Sequence, residues 1–159
     1  MTKLNIVQLF LAIIIVLFNR DALSRDYSAW LENCSQYRET VESILDDEGV
    51  NKDYYYLMVA ESRCRKGAAS NKGAKGFWQL MPATSKHYGC LNPENVECST
   101  RAAAKYLKKL IGEFDQFEDV IAAYNIGGHN YIRIGMTNEA KWLIVRVKSI
   151  KKTDKEVEK

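Results

Sequence analysis

Three segments carry residues that could do chemistry. Glu61 closes an apolar run, Tyr54 to Ala60. Gln79 stands inside Gly76-Phe77-Trp78-Gln79-Leu80-Met81-Pro82, and Tyr124 and Asn125 inside Ala122-Ala123-Tyr124-Asn125-Ile126-Gly127. A lone acid at the end of a greasy helix is a place where desolvation can keep a carboxyl protonated near neutral pH. The other two segments set a few amide and phenol groups among large apolar faces, which is the make-up of a sugar-binding cleft. Glycoside cleavage needs a general acid for the leaving oxygen and a means of stabilising an oxocarbenium-like centre. Glu61 is the candidate acid. Glutamates at helix ends are ordinarily exposed surface residues, so its case rests on the company it keeps.

That company has plainer readings too. Ser70, nine residues after Glu61, could orient a substrate amide or merely form a turn. Gly76 removes a side chain where the backbone must approach something closely, or serves a simple turn. Gln79 offers a sugar both donor and acceptor. Phe77, Trp78 and Met81 are core-like residues, and of these only Met81 is carried forward as a cleft residue. Tyr124 lies on an apolar helix face. Its hydroxyl, if buried, needs a partner, and Glu61 is the expected one. Asn125 is either a sugar contact or a helix cap. His87 and His129 are isolated in sequence and read as structural or exposed.

These residues must be positioned by a chain of 159 residues, which predicts a single domain. Residues 1–24 read as an export signal: Lys3 as a positive start, then a mostly apolar run from Leu4 to Phe18. That run is shorter than the ~20 residues a spanning helix needs. Ala22-Leu23-Ser24 suggests cleavage after Ser24, with an uncleaved membrane anchor as the alternative. The protein is therefore expected outside the cytoplasm, in the periplasm or cell envelope. A formal net charge of +3 is too mild to imply nucleic acid and is compatible with work near an anionic polymer. Cys34, Cys64, Cys90 and Cys98 form an even set, which in an exported chain predicts disulfides. Their spacing, even with His87 as an extra ligand, fits no common zinc finger, so no metal or other cofactor is expected. Four cysteines allow three pairings. Cys34 with Cys64 and Cys90 with Cys98 is favoured: the second closes a short Pro-containing loop, and the first ties the N-terminal helix to the end of the helix bearing Glu61.

The mature chain reads as all-α. Trp30, Cys34, Tyr37, Val41 and Ile44 recur at helical spacing, predicting a helix from Tyr27 to Asp47 that Gly49 stops. Asn51 can cap the helix leading to Glu61. Arg63 to Lys75 reads as loop, and Pro82 opens a short helix ending at Gly89. Cys90 to Cys98 reads as loop. Ser99 is the expected cap of a helix from Thr100 to Glu113, with Ala103, Tyr106, Leu110 and Phe114 on its apolar line. Asp115 is the expected cap of Gln116 to Asn125, and Gly127-Gly128 breaks it. A last helix starts near Thr137 or Asn138 and carries Trp142, Val145 and Ile150. The domain proper spans 25–150, and residues 151–159 form a charged, frayed tail.

The series Glu61-Ser62, Ser70, Gly76 to Thr84 and Ala123-Tyr124-Asn125 resembles the catalytic domain of soluble-type lytic murein transglycosylases. It is especially similar to the membrane-bound type D branch, where a helix like Thr100 to Leu107 lies between these blocks. The resemblance spans Asp53 to Ile150. It implies a lysozyme-like helical domain with a cleft, akin to goose-type lysozymes, acting on peptidoglycan strands as a monomer. It implies Glu61 as sole catalytic acid/base and Ser70 beside the substrate N-acetyl group. Gly76, Gln79 and Met81 would line the cleft, Tyr124 would hydrogen-bond the acid, and Asn125 would contact sugar. The N-terminal helix and the four cysteines lie outside the general motif. The rival expectations are a hydrolytic lysozyme, with Asp119 or Glu118 positioning water, and a non-catalytic wall-binding component of a secretion apparatus.

Overall fold

The computed structural model describes residues 6–157, and the side chains of residues 27–157. The candidate export signal, residues 1–24, therefore lies outside the residues whose side chains are described. Among the described residues no helix is long and apolar enough to cross a membrane.

The architecture is all-helical, as expected: α1 (Ile6–Asp47), α2 (Tyr55–Ser62), α3 (Pro82–His87), α4 (Val96–Ile111), α5 (Phe117–Ile126), α6 (Gly128–Ile134) and α7 (Asn138–Val157). α1 presents Trp30, Leu31, Cys34, Val41, Ile44 and Leu45 to the core. It ends at Gly49, whose φ of 71° places it in the left-handed region. There Val50 N–H bonds Leu45 C=O at 2.8 Å and Gly49 N–H bonds Asp46 C=O at 2.9 Å, a Schellman ending that satisfies two otherwise orphaned carbonyls. Asn51, expected to cap α2, caps instead the turn that precedes it, its side chain accepting from Asp53 N–H, and Tyr54 stands at the cap position of α2. A 3-10 turn, Lys52–Tyr54, leads into α2.

α2 is the central element. All of its residues except Glu61 are buried. A helix that is apolar all round must be enclosed by others, and α2 packs against both α1 and α7. α7 also packs on α1 and α5, while α4 joins α1 to α5. α4 can approach closely because its inner face is Ala102, Ala103, Ala104, Leu107 and Leu110, all fully buried.

Several expectations are corrected. Asn95, not Ser99, caps α4: its side chain accepts from Cys98 N–H at 2.8 Å, so the helix begins one turn earlier. Ser99 lies inside the first turn, bonding back to Asn95 C=O. Gln116, not Asp115, stands at the cap position of α5 and makes no side-chain cap bond. Gly128, expected only to break a helix, opens α6. In α7 the inward residues are Ala140, Leu143, Ile144, Val147 and Ile150, whereas Trp142 and Val145 are exposed. The expected frayed tail is helical through Val157. It is held by Asp154, which is buried and accepts from Tyr56 Oη at 2.7 Å and from Arg38 Nη1 at 2.8 Å.

Candidate active site

Glu61 sits one residue before the end of α2, where the chain turns sharply. Arg63 and Cys64 both adopt left-handed backbone, with φ of 54° and 53°. Side chains rarely accept that conformation, and three contacts hold it. Cys64 is bridged to Cys34 of α1. The Arg63 guanidinium lies 4.2 Å from the centroid of the Trp30 ring, a cation–π contact. Ser62 Oγ donates to Met58 C=O and accepts from Cys64 N–H. The carboxylate-bearing end of α2 is therefore clamped to α1.

The other wall is the segment 63–81. It folds without regular strands, through isolated bridges of Ala69 with Lys75 and of Lys75 with Leu80. At Gly76 a Cβ would stand 2.1 Å from the Pro93 carbonyl oxygen, and φ is +74°. Only glycine fits, because backbone presses on backbone here. Gln79, also left-handed with φ of 48°, donates through Nε2 to Ala68 C=O at 2.9 Å and to Gly76 C=O at 2.8 Å. Its amide nitrogen shapes the wall, which leaves Oε1 as the group it can offer a ligand. Trp78 is fully buried and donates through Nε1 to Thr100 Oγ1 at 2.9 Å.

Between these walls lies a cleft of about 530 Å³, within the size range of small-ligand sites. Six of the seven predicted site residues line it together: Glu61, Ser70, Gln79, Met81, Tyr124 and Asn125. The seventh, Gly76, is not among the lining residues; it packs behind the wall against Pro93. Asn125 Oδ1 is buried without a hydrogen-bond partner among the described residues, an acceptor suited to a ligand N–H or O–H.

Burial, above all, pushes the Glu61 carboxyl up to about 7 from an ordinary 4.5; the charge of Glu139 adds to this and Arg146 opposes it. Arg146, on α7, donates to Ala60 C=O at 3.4 Å. A carboxyl with such a proton affinity can give and take a proton near neutral pH, as a general acid that later acts as base must. Tyr124 departs from expectation. Its hydroxyl donates to the Trp78 carbonyl at 2.8 Å rather than to Glu61. Burial and the nearby Glu61 charge both disfavour its phenolate, so it stays a donor. It couples α5 to the Gln79 wall, and Tyr106 lies beside it with ring centroids 5.4 Å apart.

Two cleft residues of consequence escaped the sequence reading. Lys72 and Glu139 both line the cleft and form an ion pair at 2.7 Å. They lie 67 positions apart, beyond the reach of any local spacing argument. By contrast, the carboxylates weighed for water activation point elsewhere. Glu118 is paired with Lys148, Asp119 accepts from Tyr131 Oη at 2.5 Å, and neither lines the cleft. The disulfides are those favoured: Cys34–Cys64 and Cys90–Cys98.

The chain is 33% identical over 92 residues to the membrane-bound lytic murein transglycosylase D of Escherichia coli strain K12, covering 54% of this chain and 20% of that protein. It is 35% identical over 102 residues to a putative tributyltin chloride resistance protein of Alteromonas sp. strain M-1, covering 58% of this chain and 49% of that one. The chain thus spans between a fifth and a half of the length of the curated relatives it matches. The family model described as Transglycosylase SLT domain matches residues 42–142, from the last turns of α1 to the start of α7 and across every wall of the cleft; the chain belongs to the Transglycosylase SLT domain family.

Proposed function

We propose that this protein is a peptidoglycan lytic transglycosylase, cleaving the β-1,4 bond between N-acetylmuramic acid and N-acetylglucosamine. The observation that carries the reading is Glu61: a carboxyl holding its proton to about pH 7, without a hydrogen-bonding side-chain partner among the described residues, in a cleft lined by amide, phenol and thioether groups. Protonated Glu61 gives its proton to the glycosidic oxygen as the bond to the muramyl anomeric carbon breaks. The carbonyl oxygen of the muramyl N-acetyl group closes on that carbon and carries the developing charge. The Glu61 carboxylate then takes the proton of the muramyl 6-hydroxyl, whose oxygen displaces the N-acetyl oxygen. A 1,6-anhydro ring results, no water is consumed, and Glu61 ends protonated as it began.

In this scheme Ser70 and Asn125 hold the N-acetyl-bearing sugar, Gln79 Oε1 accepts a sugar hydroxyl, and Met81 lies against a ring face. Gly76 and Tyr124 act one step removed, by fixing the wall that carries Gln79. The paired cysteines favour an oxidising compartment, which supports export through residues 1–24 to the cell envelope, with the processed domain working as a monomer on glycan strands.

A hydrolytic reading has one observation in its favour: Glu139, a second carboxylate in the same cleft. It is tied to Lys72 in a bidentate contact, which ill suits a base that must position water. Mass spectrometry of purified peptidoglycan digested by the protein separates the readings. Anhydro-ended muropeptides support lytic cleavage. Reducing-end muramic acid, heavier by one water, would make the protein a hydrolase, and no released product would remove the enzymatic reading.

A further inference from the structure

Lys72 and Glu139 come from two different elements that line the cleft, the 63–81 segment and α7, and each stands on an ordered turn. Lys72 sits at the tip of a self-closed turn. Ser70 N–H bonds Ala74 C=O at 2.9 Å, Gly73 N–H bonds Ser70 C=O at 2.9 Å, and Ala74 N–H bonds Ser70 Oγ at 3.1 Å. Glu139 lies in the first turn of α7, a position that favours a carboxylate. That turn is fixed by Thr137 Oγ1, which accepts from Ala140 N–H at 3.2 Å. Lys72 Nζ donates to both carboxylate oxygens, at 3.0 and 2.7 Å. Glu139 is near enough to Glu61 for its charge to act on the acid. The ion pair thus joins the 63–81 wall to α7 beside the reacting centre.

We propose that the Lys72–Glu139 pair is a strap across one end of the cleft that limits how far a glycan strand extends past Glu61, directing cleavage to strand ends. A strand cannot pass between two side chains that are bonded to each other. While the pair is closed, only a chain terminus can seat on that side. Both side chains are largely exposed, 74% for Lys72 and 57% for Glu139, and exposed ion pairs are weak and screened by salt. The strap is therefore openable, and opening it converts an end-acting cleft into one that accepts the middle of a strand. Specificity here lies in a side-chain contact. The inference rests on the glycan-cleaving reading above.

The test uses the whole protein on long, peptide-free glycan strands at low conversion, with products sized by chromatography and normalised to total bonds cut. The wild type should release short terminal fragments while long strands persist. Lys72→Ala and Glu139→Gln should each raise the ratio of mid-length to short products severalfold, as should added salt with the wild type. The doubly swapped Lys72→Glu/Glu139→Lys variant, which rebuilds the pair with reversed polarity, should return the ratio toward wild type. Removing the Glu139 charge also alters proton affinity at Glu61, but that changes rate and pH profile, not the length distribution. Identical distributions in all four proteins, or a swapped pair no different from the single variants, would overturn the strap while leaving the enzymatic reading intact. No cleavage by any of them would overturn both.

Discussion

The two walls of the cleft are built on opposite plans. The Glu61 wall is a helix end enclosed by core: Tyr55 to Ala60 are all buried, and α1 and α7 pack around them. The Gln79 wall has almost no regular structure and is shaped by hydrogen bonds, one glycine that backbone contact makes obligatory, and a left-handed glutamine. The first wall controls proton affinity, because desolvation is what helix packing provides. The second controls shape, because a network of directed bonds can set an acceptor such as Gln79 Oε1 at a chosen angle. Acid strength and substrate fit are thus carried by separate structures, and substitutions should separate them.

Glu61→Gln is the hardest test of the first wall. The amide keeps the shape but delivers no proton, and loss of a general acid/base group typically costs ~10²–10⁴-fold in rate. Release of anhydro-muropeptides should therefore fall at least that far, with substrate still bound. Turnover near wild type would take Glu61 out of the mechanism.

Untying the helix end comes next. Cys34→Ala with Cys64→Ala removes one bridge, and a native disulfide typically contributes ~2–4 kcal/mol. Thermal or denaturant unfolding should register the loss, and activity should fall with it, since the bridge ends three residues beyond Glu61. A stability loss with activity untouched would mean that the clamp serves the fold alone.

The Glu61→Gln protein should also differ from wild type in the pH dependence of stability. In the folded chain Glu61 holds its proton to about pH 7, against an ordinary 4.5. Between those values the folded state binds the extra proton, so wild-type stability falls as pH rises. Glutamine cannot ionise and lacks that decline. The variant should match wild type near pH 4 and exceed it above pH 7, by up to roughly 3 kcal/mol. Parallel curves in urea titrations across this range would show that the carboxyl is not desolvated.

The smallest effect probes the second wall. Tyr124→Phe leaves the Trp78 carbonyl without its donor, a loss of about 1–2 kcal/mol. Because the bond runs to Trp78 and not to Glu61, the substitution should raise KM through the displaced Gln79 while leaving in place the alkaline limb of the pH profile, where Glu61 loses its proton. A shifted limb with unchanged KM would restore the direct link between phenol and acid.

What was legible in the sequence follows the same division. The apolar run into Glu61, Gly49 and Asn51 at the preceding turn, and Pro82 at the start of α3 are local signals, and local chemistry decides them. The cysteine pairing was readable because each bridge closes a piece of chain with an evident need for it. The partner of Tyr124 was not readable, since a buried hydroxyl takes whichever acceptor the packing brings nearest. Ser99 was read as the cap of α4, and Asn95, four residues earlier, takes that place by engaging Cys98 N–H. Asp154 was read as part of a solvated tail because its partners, Arg38 and Tyr56, lie 116 and 98 residues away. Lys72 and Glu139 were hidden for the same reason.

The Cys34–Cys64 bridge makes the active centre a record of the chain's history. Two consecutive left-handed residues follow Glu61 by two and three positions, and the sulfur bond is one of the contacts that keep them so. On the proposed reading, a chain that still carries thiols has the right residues but a looser helix end. Forming the bridge in an oxidising compartment would then complete the site, setting a chemical delay between making this protein and arming it.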